Sequence, residues 1–247
     1  MIRDRLIDTS IRLGIYEPAR EVRAILRREY GKQRAERQQL HLLLQSLLKE
    51  DSNCIDIGAY RGRILAEIIR VAPRGNHIAY EPLPHLNQRL ERRFPGVDVR
   101  QAAVSNENGE TTFVYVKSLP AFSGLRERSY YGRQPVEKLT VRTETLDSSL
   151  PEGYVPSLIK IDVEGAERLV IEGAIKTITK YKPAIIFEHG KGGADYYNTQ
   201  PRHIYELLHD QAGLQLFDMD GNGPYTLEQF EETFARNDRW DFVARSL

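Results

Sequence analysis

The chain has 247 residues, 40% of them hydrophobic, and its 35 basic and 35 acidic side chains give a formal net charge of zero. That length suits one α/β domain with additions, and the charge balance gives no sign of a nucleic-acid-binding or membrane-surface protein. The one cysteine, Cys54, excludes an internal disulfide and a cysteine-based metal site; the charged start lacks the apolar core of a signal peptide and no apolar run could span a bilayer, so a cytoplasmic location is expected.

Residues 1–49 read as an N-terminal helical extension ahead of a main domain at 50–247. Pro18 opens one helix, with Val22, Ile25 and Leu26 on a face. Leu40, Leu42, Leu43, Leu44, Leu47 and Leu48 form a dense apolar stretch that stops before Asp51-Ser52-Asn53. Arginine and lysine are frequent from Arg20 to Arg37. The plain reading is a solvated helix face packed over a sheet. The sharper one is a cap over a cofactor, or a contact that builds a homo-oligomer through these helices.

The first strong motif follows. Cys54, Ile55 and Ile57 make a short apolar strand with Asp56 set inside it. Gly58 ends the strand, Gly62 follows, and Ile64, Leu65, Ile68 and Ile69 recur at helical spacing. A carboxylate inside an apolar strand is costly unless the site uses it. In open α/β sheets, ligands bind at the carboxyl ends of strands. A dinucleotide fingerprint needs Gly-x-Gly-x-x-Gly. Here Gly58 and Gly62 are four apart, with Ala59 and Tyr60 where a second close glycine would stand. Asp56 beside the ligand would repel a diphosphate and attract a cofactor carrying an ammonium and a sulfonium. The motif favours S-adenosylmethionine (SAM) over NAD, with a plain structural turn as the third possibility.

Pro73-Arg74-Gly75-Asn76 is a turn, and His77–Tyr80 is a second strand closed by Glu81-Pro82. An acid at that strand end can accept hydrogen bonds from both hydroxyls of a ribose, in SAM or NAD alike. Leu86, Leu90 and Phe94 mark a helix stopped by Pro95-Gly96. Val97, Val99 and Ala102–Val104 form a third strand, and Thr111–Val116 and Leu139–Thr143 two more. The polar loop between them, 117–138, carries Arg126, Arg128, Arg133, Tyr130 and Tyr131, and is either a substrate contact or a solvated segment.

The second strong motif is Leu158-Ile-Lys-Ile-Asp162-Val-Glu-Gly-Ala-Glu167, a buried strand running into acids and then a helix with Leu169, Val170 and Ile175. Asp162 at the strand tip should face the same crevice as Gly58, whereas Glu167 serves the helix start. Ala184–Phe187 is a further strand, closed by Glu188-His189, an acid/base candidate or a surface pair. Ile204, Leu207 and Leu208 mark a helix, Leu214–Phe217 a strand, Tyr225–Phe234 a helix and Trp240–Ala244 a last strand. Asp218-Met-Asp220-Gly-Asn222-Gly223 opens like a calcium loop, but Gln229 stands at the twelfth position and Glu228 one place early, so it reads as a turn.

With these residues assembled, the stretch from about Asn53 to Val243 resembles the FkbM-type family of SAM-dependent methyltransferases. Lys160-Ile-Asp-Val-Glu-Gly-Ala-Glu167 is very similar to that family's signature, and Asp56-Ile-Gly-Ala, Glu81-Pro82 and Glu188 also fit. Tyr60 is a departure, since such proteins usually carry asparagine there. The resemblance implies a class I methyltransferase (Rossmann-like) fold, an α/β architecture whose seven-stranded, mostly parallel sheet has helices on both faces. It implies O-methylation of a hydroxyl-bearing small molecule or glycan, such as a sugar or secondary metabolite. On that reading Gly58, Ala59, Tyr60 and Gly62 line the methionine part of SAM, beside Asp56. Glu81 and Pro82 stand at the ribose, and Ala103 and Val104 at the adenine. Asp162 lies near the sulfonium. Asp162, Glu188 and His189 are the candidate proton acceptors, with no metal required. The competing arrangement has those same three side chains holding Mg²⁺ or Mn²⁺. An NAD-dependent oxidoreductase and a non-catalytic binding module are the rival functions.

Overall fold

A computed structural model describes residues 37–129 and 134–247. The chain divides into two units, Met1–Leu42 and Leu43–Leu247, and helix α1 covers residues 37–47. The sequence-based expectations for Pro18, Val22, Ile25 and Leu26 lie outside the described residues. Of the leucine stretch, Leu44 and Leu48 belong to the second unit and are buried, whereas Leu42 is exposed.

The second unit, Leu43–Leu247, is the α/β domain. Its main sheet contains β1 (Cys54–Ile57), β2 (Ile78–Tyr80), β3 (Asp98–Arg100), β7 (Leu158–Ile161), β8 (Ala184–Glu188), β9 (Gln215–Asp218) and β10 (Asp241–Arg245). Their spatial order is β3-β2-β1-β7-β8-β10-β9, and β10 alone runs antiparallel to its neighbours. The third strand expected at 97–104 is two strands. Asp98–Arg100 joins the main sheet, and β4 (Ala103–Val104) pairs instead with β6 (Val136–Glu144), which in turn pairs with β5 (Gly109–Val116). Ala102 is fully buried at the switch between them.

Helices α2 (Arg63–Val71), α3 (Pro84–Arg93), α5 (Glu167–Glu172), α6 (Ile175–Tyr181) and α8 (Leu227–Arg236) connect and flank the strands. Shorter helical segments are α4 (Leu146–Ser149) and α7 (Pro201–Tyr205), which continues as a π-helical turn over Glu206–Gln211. The helix expected near Gly165 is thus α5 and α6, separated by Gly173-Ala174. Ile55, Ile57, Ile159, Ile161, Ile185 and Phe187 are nearly inaccessible to solvent and form the centre of the core, with Phe230 and Phe242 beside them. Near-continuous apolar runs are what strands covered on both faces require.

Register places the site. Ile57 is opposite Ile161, and Ile161 is opposite Phe187. The next residues along, Gly58, Asp162 and Glu188, therefore stand side by side at the carboxyl edge. One residue earlier, Asp56 is opposite Lys160. Side chains alternate along a strand, so Asp56, Lys160, Asp162 and Glu188 share a face, while Phe187 and His189 belong to the other.

Candidate active site

Gly58 turns the chain out of β1 at φ 76°, and a side chain there would place its first carbon 1.9 Å from the Asp162 carbonyl oxygen. Glycine is thus required by both conformation and close approach. The Gly58 and Ala59 N–H groups donate to the Tyr80 carbonyl at 3.1 and 3.0 Å, which ties the turn to β2. Tyr60 is left-handed as well, at φ 50°. Its N–H donates to Glu81 Oε2 at 2.9 Å, and the Leu83 N–H donates to Glu81 Oε1 at 2.9 Å. Glu81 therefore holds both turns of the pocket floor while facing the cavity. Burial, only partly offset by those two hydrogen bonds, pushes its pKa up to about 7.

A pocket of about 740 Å³, including the solvent at its mouth, opens over these strand ends. That is within the range of small-molecule sites. Gly58, Tyr60, Glu81, Pro82, Ala103, Val104 and Asp162 line it, among the residues named from sequence. Its walls are mainly apolar, with Leu83, Leu86, Phe113 and Leu125. Pro120, Ala121 and Ser123, from the loop after β5, close one side. That loop therefore reaches the cavity.

Three sequence-named residues take other positions. Gly62 is the left-handed residue ahead of α2, packed so close to Leu90 and Phe94 that a methyl group would collide with them. Ala59 is buried with Leu65, Ala79 and Leu90. Asp56 is not beside the ligand space but beneath it, 1% exposed, with its Oδ1 3.1 Å from the ammonium of Lys160. Asp56 is therefore not the contact for a cationic ligand that its sequence position suggests: its counter-charge is a lysine of the next strand. Alternation explains it, since both residues lie within the strands and only their successors reach the edge.

A second pocket adjoins the first and shares Ala121 and Glu164 with it. Glu188, Glu164, Glu167 and Arg128 give it charge, and Phe122 and Trp240 are its partly exposed aromatic walls. Oxygens of Asp162, Glu164 and Glu188 all lie within 4.8 Å of one another. Arg128 is ion-paired with Glu164, and its guanidinium sits 5.7 Å from the Phe122 ring centre. Crowding shows in the protonation of the acids. Burial first, and then repulsion from Asp162, Glu164 and Glu167, pushes the Glu188 pKa up to about 9. Burial and Asp162 push Glu164 up to about 7 against the pull of Arg128. Glu167 accepts hydrogen bonds from the Val163 and Gly165 N–H groups at 3.1 and 3.0 Å, the local role expected of it.

His189 is a correction. It follows Glu188 on the opposite face of the strand, 1% exposed, with its ring stacked on Phe234 at 5.0 Å and tilted against Phe230 at 5.5 Å. Burial lowers its pKa to about 4, so it stays neutral at working pH. It lines neither pocket. The oxygen cluster is completed instead by Glu164, which the sequence reading did not assign, and the metal arrangement with an imidazole ligand has no geometric basis. The other missed residue is Lys160. Its signal was present: a lysine inside an apolar strand, two residues before an acid, in a chain whose neighbouring strand also carries a buried acid. The Asp218 loop closes on itself, with Asp218 Oδ1 accepting from the Asp220 and Asn222 N–H groups. It is a turn, as expected.

A seven-stranded sheet reversed only at its next-to-last strand, with a glycine turn after β1 and an acid after β2, is the class I methyltransferase architecture. The Methyltransferase FkbM domain model matches residues 56–214, and the chain belongs to that family. Its cofactor is SAM. An apolar cavity with an acid at the β2 end and a carboxylate at the β7 tip suits a nucleoside carrying a cationic sulfonium. The chain is 35% identical over 85 residues to the AMB antimetabolite synthetase AmbE of Pseudomonas aeruginosa, covering 33% of this chain and 4% of that one. It is 25% identical over 146 residues to Methyltransferase 1 of Beauveria bassiana, covering 50% and 59%. It thus spans less than two thirds of the length of these curated relatives. The crystal structure of Methyltransferase FkbM from Methylobacillus flagellatus shares the fold, with a TM-score of 0.50 and 17% identity over 80% of this chain and 44% of that one. Among the described residues, no helix is long and apolar enough to cross a membrane.

Proposed function

We propose that the chain is a SAM-dependent O-methyltransferase acting on a hydroxyl of a sugar, glycan or secondary metabolite. The observation that carries this is the junction of the two pockets. Asp162 lines the cofactor-sized cavity, and Glu188 lines the acid-bearing second pocket that shares Glu164 with it. When bound, SAM supplies an activated methyl group. The chain's own part is to align an acceptor oxygen, to exclude water and to take the hydroxyl proton. Gly58, Tyr60 and Pro82 shape the cofactor floor, Glu81 accepts from the ribose, and Ala103 and Val104 flank the adenine. Much of the rate gain comes from alignment. An aliphatic hydroxyl is a weak acid, so a base must take its proton as the bond forms. Asp162 and Glu188 are the available bases. Glu188, held protonated at neutral pH by burial and its acidic neighbours, becomes available as a base in a growing fraction of molecules as pH approaches 9.

The rival oxidoreductase is removed by the family match. A metal-assisted variant keeps one supporting observation, the all-oxygen trio Asp162, Glu164 and Glu188, which suits Mg²⁺ or Mn²⁺. The test is incubation with SAM and a panel of glycosides and natural-product alcohols, with and without EDTA, read by mass spectrometry. A product heavier by one methyl-for-hydrogen exchange on oxygen supports the reading. Methylation at nitrogen or carbon only would overturn it.

A further inference from the structure

Lys160 has no role in the chemistry above, yet it is 3% exposed and its ammonium reaches four oxygens. It donates to the Gly58 carbonyl at 2.8 Å and the Ile57 carbonyl at 3.3 Å. It lies 3.1 Å from Asp56 Oδ1 and 3.5 Å from Asp162 Oδ2. Burial alone would favour the neutral amine, but the carboxylates of Asp56 and Asp162 more than offset this and raise its pKa. The charge is therefore retained in the interior.

One residue along the same two strands, Ile57 and Ile161 fill the equivalent register with hydrocarbon. Buried ion pairs are often no more stabilising than apolar side chains of similar volume. What distinguishes this pair is where the lysine's other contacts go. Two reach the carbonyls of the turn under the first pocket, and the fourth reaches the carboxylate at its edge. Asp56 is itself buried and meets the lysine through Oδ1, so the pair keeps the ammonium charged beneath the turn.

We propose that Lys160 is a positioning residue, whose ammonium locks the Gly58 turn and the Asp162 carboxylate into one geometry so that the carboxylate is presented to the cationic centre of the bound cofactor. The inference rests on the placement of SAM in the first pocket and is independent of the acceptor's identity.

The test compares the affinities of SAM and S-adenosylhomocysteine, which lacks the sulfonium charge, by calorimetry. The variant is Asp56→Leu with Lys160→Met, which removes both charges together, leaves the net charge unchanged and replaces the pair with hydrocarbon. Its folding is checked by melting. SAM should bind about tenfold more weakly, on the scale of one charge-assisted interaction, and S-adenosylhomocysteine by much less. A folded double variant with an unchanged ratio of the two affinities overturns the proposal, since a merely structural pair would weaken both ligands alike or neither. If the double variant does not fold, Lys160→Arg carries the test with the charge kept. A planar fork cannot satisfy the contacts of one ammonium, so SAM should again lose more than S-adenosylhomocysteine, and a wild-type ratio overturns the proposal. Failure of the unaltered chain to bind either ligand overturns the cofactor placement and this inference with it. Failure to methylate a hydroxyl touches only the acceptor reading.

Discussion

The two adjoining pockets are built by different means. The first rests on strand ends: β1, β2 and β7 deliver Gly58, Glu81 and Asp162 at positions fixed by sheet register and held by backbone hydrogen bonds. The second is assembled by loops. Arg128 comes from the β5–β6 connection, Glu164 from a left-handed turn at φ 60°, and Trp240 from the approach to β10. Both are mostly apolar, but the first has Glu81 anchored by backbone hydrogen bonds, whereas the second concentrates carboxylates whose pKa values burial and crowding raise. On the proposed function the first is the holder for the cofactor and the second the charged vestibule for the acceptor.

The sharpest way to break this contrast is at Gly58. Gly58→Ala puts a methyl group into the Asp162 carbonyl and strains a left-handed turn. We expect a loss of about 4 kcal/mol, expressed as a much lower melting temperature or undetectable SAM binding. Normal SAM affinity in that variant would show that the first pocket is not register-built.

The vestibule should respond in rate rather than in cofactor affinity. Asp162→Asn and Glu188→Gln should each lower kcat by about 10²-fold or more if the residue takes the proton, and Glu188→Gln should leave SAM binding unchanged. Exhaustive EDTA treatment separates the metal-assisted variant. Activity lost and then restored by Mg²⁺ would convert the carboxylate trio from bases into ligands. Glu81→Ala tests the floor of the first pocket. It removes two acceptors toward the ribose, about 2–3 kcal/mol of SAM affinity at roughly 1.5 per charged hydrogen bond. It also releases the Tyr60 and Leu83 amides, so melting should fall too. Unchanged affinity would remove Glu81 from the site.

The same contrast explains what could be read from the sequence. Apolar strands punctuated by Gly58, Glu81, Asp162 and Glu188 announce a sheet and its carboxyl edge, because burial and turn chemistry are local. The family resemblance at 160–167 implies a seven-stranded, mostly parallel sheet, and the structure supplies the strand order. What could not be read was which side of the edge each side chain takes. Asp56 looked like a ligand contact until its register against Lys160 was known. His189 looked like a base because it follows Glu188, although alternation sends it to the other face. Glu164 and Arg128 are 36 positions apart in sequence, and nothing local predicts their ion pair.

Crowded acids also give the vestibule a pH signature. Glu188 at about 9 and Glu81, Glu164 and Glu167 at about 7 all lie above the unfolded value of about 4.3. Groups raised in the folded state contribute stability that is fully present below the unfolded pKa and is lost as pH rises through the folded one. The melting temperature should therefore fall by several degrees between pH 6 and 9.5. Glu188→Gln should flatten the upper part of that fall. An unchanged slope in this variant would mean that the carboxylates are not crowded in solution.

The smallest effect belongs to His189, and it tests which face of β8 carries the chemistry. Its folded pKa is lowered to about 4, below the unfolded value of about 6.5. A depressed base contributes stability that is present above the unfolded pKa and is lost as pH falls through the folded one. His189→Phe should remove that acid-side loss between pH 6.5 and 4. It should also extend the ring cluster of Phe230 and Phe234 and eliminate two buried ring nitrogens that lack partners among the described residues. At neutral pH the change in stability should be within about 1 kcal/mol, and in the stabilising direction. Turnover and SAM affinity should match the unaltered chain. A variant that melts normally, binds SAM normally and has lost turnover would return His189 to the crevice. It would mean that the strand tip rearranges when the acceptor enters, and that the division between the two pockets extends into β8 itself.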